Sequence, residues 1–123
     1  MPDLATNVAE VEQRISQEKG SFNLFALFER EDVANRWDVV LAAPWATDKG
    51  ETLRYFVYEL KSRLTPLQMV ELSRVVVLDP TDEAVQAINR AFHVEHGSME
   101  VRDSNLFGLP IKHGIIITSK RAA

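Results

Sequence analysis

The stretch RYFVYELKSRL, residues 54–64, holds the pair of side chains that comes nearest to reactive chemistry: Glu59 and Lys61, one residue apart. On a β-strand, where side chains alternate between faces, the two would project side by side. A carboxylate and an ammonium so placed, with a second carboxylate nearby, can hold a divalent cation and stabilise an in-line phosphoryl displacement. On a helix the same residues belong to an ordinary solvated face. The pattern favours the helix. At about 100° per residue, Leu53, Phe56, Val57, Leu60 and Leu64 gather within roughly a third of the circumference. A strand would instead mix Arg54, Phe56, Tyr58 and Leu60 on one face and Tyr55, Val57, Glu59 and Lys61 on the other, which is poor alternation. The spacing predicts a helix over Glu51 to Leu64, with Glu59 and Arg63 in the favourable i,i+4 order.

Read as a strand, Arg54 to Lys61 resembles the acid-x-Lys strand of the PD-(D/E)xK nuclease superfamily. Members of that superfamily run helix, strand, strand with an Asp, strand with the acid-x-Lys pair, helix, strand. The resemblance implies Asp38 as the second carboxylate, Glu59 beside it on a divalent metal, and Lys61 as the group that orients the attacking water. The chain departs from the pattern at Trp37, where a Pro would precede the Asp, and an acid two residues before a Lys arises by chance in most proteins.

A second constellation is FHVEHG, with His93 and His96 three apart, Glu95 between them and His113 further on. Imidazoles at i and i+3 on one helical turn can share a metal, and Asp79, Glu100 or Asp103 could complete its shell. No zinc signature matches. The simpler expectation is that His93 finishes a helix, that His96-Gly97 turns the chain toward the next strand, and that no cofactor is bound. VVVLDPTDEA carries a strand into a helix start, but Asp79, Asp82 and Glu83 would repel a phosphate there, so self-capping is expected.

The elements that must position these residues follow from periodicity. Leu4, Val8, Val11 and Ile15 form a helical stripe behind the cap Asp3 and before Gly20. Phe22 to Glu29 and Trp37 to Pro44 are mostly apolar on both faces, as interior strands are, and the short charged link between them predicts an antiparallel hairpin or close neighbours. TPLQ at 65–68 is a capping box with Pro at the first helical position. Arg74 to Pro80 is expected as a central strand, and the acidic segment after it as a helix bearing Val85, Ile88 and Phe92. SMEVRD and HGIIITSK are expected as the last two strands. The order α-β-β-α-α-β-α-β-β predicts an α/β fold, with α+β as the alternative: one compact domain over 1–123, a mixed sheet of about five strands flanked by about four helices.

Composition narrows function further. The 123 residues include no cysteine, which removes thiolate nucleophiles and disulfides, and a net charge of -4 argues against holding nucleic acid by broad electrostatics. No apolar run reaches the roughly 20 residues of a membrane span, so a cytoplasmic protein is expected. The favoured function is a non-catalytic accessory or protein-interaction domain that self-associates; the alternative is a small metal-dependent nuclease-like hydrolase using Asp38, Glu59 and Lys61. The interaction residues expected are Tyr55 and Tyr58, opposite the apolar stripe of their helix, and Ile115 and Ile117, on an edge strand that a second copy would cover.

Overall fold

The computed structural model describes residues 3–106 and 109–121. Four helices, α1 (Leu4–Lys19), α2 (Lys49–Arg63), α3 (Pro66–Glu71) and α4 (Glu83–Ala91), and five strands, β1 (Leu24–Glu29), β2 (Trp37–Ala42), β3 (Leu72–Val77), β4 (Met99–Leu106) and β5 (Leu109–Ser119), form one compact α/β domain. The expected order of elements is the observed one. The sheet runs β3-β2-β1-β5-β4 and is mixed: β2 and β3 are parallel, and the other three pairings are antiparallel.

Local chemistry sets the helix ends as the sequence suggests. Asp3 accepts from the Thr6 amide, and Thr65 and Gln68 close a reciprocal capping box behind Pro66. The region 54–64 is helix, so the strand that a nuclease arrangement requires is absent there. Gly20 takes φ 117, a backbone that favours glycine, and its carbonyl accepts from the Trp45 indole at 2.9 Å.

The sheet separates two cores. Helices α1, α2 and α3 cover one face, where Val8, Val11 and Ile15 meet Phe25, Leu27, Val39 and Leu41. Phe25 packs edge-on against Phe22 and Phe56 at ring distances of 5.0 and 5.5 Å. The other face carries Leu24, Ala26, Ala42 and Ile116 under Val85 and Ile88 of α4. Asn89 of α4 anchors this layer by donating to the Asn23 carbonyl at 3.0 Å and to Ser119 Oγ at 2.9 Å.

Two strand expectations are corrected. The segment after Arg74 is an edge strand, not a central one: β3 pairs with β2 alone, and its residues are exposed or half-buried. Its apolar run satisfies helices α2 and α3 on one face rather than a second neighbouring strand. Conversely, β5 is interior, paired with β1 on one side and β4 on the other, and Ile117 is buried while Ile115 packs on the α1 face. Ile115 and Ile117 therefore offer nothing to a partner, because the neighbouring strands that were expected from a second copy come from the same chain.

One position tests the register directly. Phe28 of β1 lies opposite Gly114 of β5, and a Cβ at Gly114 would stand 2.7 Å from the Phe28 ring. The ring covers the glycine and takes the space a side chain would need. Gly114→Val should lower unfolding free energy by about 1–3 kcal/mol in urea titration, through displacement of that ring; an unchanged midpoint would show that Phe28 does not seal this part of the sheet.

Candidate functional site

The residues singled out for chemistry are dispersed. Asp38, on the face of β2 away from α1, has its carboxylate in the fork of Arg74, with N···O distances of 3.3 and 2.7 Å, and Arg30 stands 3.9 Å away. Glu59 is buried on α2, but its ion pair runs across to Arg14 of α1 at 3.8 Å, and Arg63 pairs with Glu10 rather than with Glu59. Lys61 is exposed. Asp38 and Glu59 thus answer to different cations in different layers of the fold and share no partner.

The histidines are equally separate in their bonding. His113 sits between Glu29 at 3.3 Å and Glu100 at 3.1 Å, edge-on to Trp37. The carboxyl of Glu29 is held below its ordinary range, first by the Asn35 amide and then by His113. Glu100 is likewise lowered, chiefly by Arg102. His93 is exposed beyond the end of α4. His96 takes φ 49 in the turn before β4 and directs Nδ1 at Glu12, 2.7 and 3.0 Å from the two oxygens. No group of three His, Asp or Glu side chains among the described residues is placed to share a metal. Asp79 caps its own turn, accepting from the amide and hydroxyl of Thr81.

Glu12 is a feature that sequence reading passed over. Its side chain is fully buried, and it also accepts from Ser16 Oγ at 2.9 Å and Thr118 Oγ1 at 3.1 Å. A bulge in β5 brings Thr118 there: Phe25 pairs with Thr118 and Ala26 with Ile116, so Ile117 is extra and Ile117 and Thr118 both serve the α1 side. The signal was available, since an acid at position 12 interrupts the stripe formed by residues 8, 11 and 15.

Of the concave surfaces where the molecule could meet something else, two adjoin β3. One is a cleft of about 360 Å³ on the α4 side, floored by Phe28 and Ile111 and rimmed by Arg30, Arg74 and Asp38. Its arginines are already paired with its own carboxylates: Arg74 with Asp38, and Arg30 with Asp32 at 2.9 and 3.0 Å. The other is a groove of about 420 Å³ along β3, walled by Leu53 and Val57 of α2 and Met69.

This groove exists because α2 is rolled relative to its apolar stripe. The buried positions are Thr52, Phe56, Glu59 and Leu60, whereas Leu53 is 39% exposed. Of the six large apolar side chains exposed among the described residues, four stand on α2 and α3: Leu53, Tyr58, Leu67 and Val70. Tyr58, 72% exposed, belongs to this surface. Tyr55 does not: its hydroxyl donates to Glu18 at 2.6 Å, Lys19 lies over its ring, and burial followed by that carboxylate raises its phenol pKa. It packs within the chain rather than standing free on the surface.

Replacing Glu12 exposes how much the fold relies on it. Glu12→Ala would strand the Ser16 and Thr118 hydroxyls and the His96 ring, and should cost about 2–4 kcal/mol by urea denaturation. Glu12→Gln keeps an acceptor oxygen and should cost less; equal losses for the two variants would mean that packing volume, not hydrogen bonding, is what Glu12 supplies. No protein-family model, curated protein or solved structure matches the chain, so function has to be read from these two surfaces.

Proposed function

We propose that the protein is a non-catalytic interaction domain that receives a protein partner on the surface formed by α2, α3 and the open edge of β3. The observation that carries this reading is the half-covered apolar stripe of α2 lying beside an unpaired strand edge. Scattered exposed apolar residues are normal on a protein surface. A cluster is not: Leu53 lines the groove, Tyr58 its continuation along α2, and α3, whose Met69 lines the groove, exposes Leu67 and Val70.

The strand edge adds a second attraction. Beyond Arg74 the edge reads Val75-Val76-Val77, with none of the prolines or lysines that usually guard such an edge. Its outward N–H and C=O groups can accept another strand, which is how extended segments bind sheet proteins in β-augmentation. The competing reading, a hydrolytic site, finds no support of this kind. Asp38 and Asp32 at the α4-side cleft are occupied by arginines, and Glu59 and Lys61 lie on a helix in a different layer.

Site-directed photo-crosslinking in the cells that make the protein tests the proposal. A benzophenone side chain at position 58 should give a covalent adduct with a protein partner, and the same group at Ser98 should give none. Loss of the difference between the two positions would refute the docking surface. Tyr58→Ser and Leu67→Ser should each change stability by less than about 0.5 kcal/mol while abolishing the adduct formed from a crosslinker at Leu53, because both side chains stand mostly in water.

A further inference from the structure

We infer that the partner presents an acidic, extended segment that joins β3 as a sixth strand, with alternate apolar side chains in the groove and carboxylates on its basic rim. This deepens the interaction-domain reading and rests on it. The argument is one of charge. The chain as a whole is acidic, with a net charge of -4. Yet the charged residues that line the groove and its continuation along α2 are Arg54, Lys61 and Arg74, all cations. Neither Arg54 nor Lys61 has an ion pair among the described residues, whereas Arg74 is held by Asp38 on the α4 side of the sheet.

Two cations without an ion pair, Arg54 and Lys61, favour an anionic visitor locally on this acidic protein. The floor decides which anion. Leu53, Val57, Met69 and Val75 give nothing to a phosphate backbone, and three cations fall short of the broad basic face that nucleic acid requires. A β-strand with apolar side chains on one face and acids at or beside its ends uses every part: edge hydrogen bonds, groove and rim.

Charge also argues against a second copy of the same chain. A two-fold pairing of β3 with itself would bring Arg54 and Lys61 from both chains toward one seam, with like charges juxtaposed. A heterologous acidic partner relieves what self-pairing would aggravate.

The test is selection of binders to the full chain from a random library of peptides of about nine residues, enough to span β3, at physiological salt. The expected binders carry roughly threefold more Asp and Glu than the input library, with apolar residues at alternate positions, and lose about tenfold in affinity for the Arg54→Glu/Lys61→Glu variant. Both substitutions are at exposed positions, so the fold should survive them, which circular dichroism checks. Binders that are neutral or basic, or that ignore the charge reversal while still failing on Leu53→Asp, would overturn the acidic assignment and leave the docking surface standing. A selection that yields nothing, or binders indifferent to Leu53→Asp and Val70→Asp alike, would remove the docking surface and the inference together. A wild-type dimer in sedimentation that Leu53→Asp dissociates would replace the acidic segment by a second copy.

Discussion

Both faces of β1 are apolar, with Leu24, Phe25, Ala26 and Leu27 all buried, so the sheet built around it needs cover on two sides. The helices supply that cover unevenly. Five strands at about 4.8 Å spacing make a sheet roughly 24 Å wide, whereas a packed helix covers a band of about 10 Å. On one face α1 and α2 together nearly suffice. On the other, α4 has only nine residues and protects less than half of the width. The arrangement of polar residues follows from this shortage: Asp38, Arg74 and Arg30 occupy the part of the α4 face that no helix reaches. Because α1 lies inboard toward β5, α2 is left over the β3 side, where part of its stripe overhangs the sheet.

The same geometry explains why a carboxylate can be placed inside the larger core. α1 crosses close to β5, and an apolar residue at position 12 would meet the Thr118 hydroxyl, which the bulge turns toward the helix. A glutamate there collects Ser16, Thr118 and His96 at once, so four polar side chains from α1, β5 and the turn before β4 satisfy one another. Burying such a group costs free energy unless its bonds are complete. Completing them demands that the bulge, the left-handed His96 and the helix be in register together, which makes the cluster a specification of alignment as much as a source of stability.

Much of this architecture was legible in the sequence. The stripe of α1, the capping box at Thr65 and the helical spacing around Phe56 depend on neighbours along the chain, and each is seen where the spacing places it. What could not be read was which strand stands at the edge. Val75 to Val77 and Ile115 to Ile117 look alike as apolar runs, and only the pairing of β5 with both β1 and β4 separates them. The roll of α2 was equally hidden. Its stripe correctly identified Phe56, Leu60 and Leu64, but the burial of Thr52 and Glu59 depends on α1 lying against that flank. Candidate reactive residues fared as their spacing warranted, since a pair two or three residues apart says nothing of the distant side chains, such as Arg74 or Glu12, that engage them.

The position of β5 also bears on how the molecule is made. It follows the other eight described elements along the chain, yet it occupies the sheet between β1 and β4. Until it arrives, the nascent chain can form α1, the β1–β2 hairpin and the crossover to β3, but one long side of β1 has no neighbour and the α4 layer has no Ile116 to rest on. A sheet closed by such distant pairing carries a large loop entropy and forms late. The growing polypeptide therefore carries a bare apolar strand until β5 emerges, which favours non-native association in that interval.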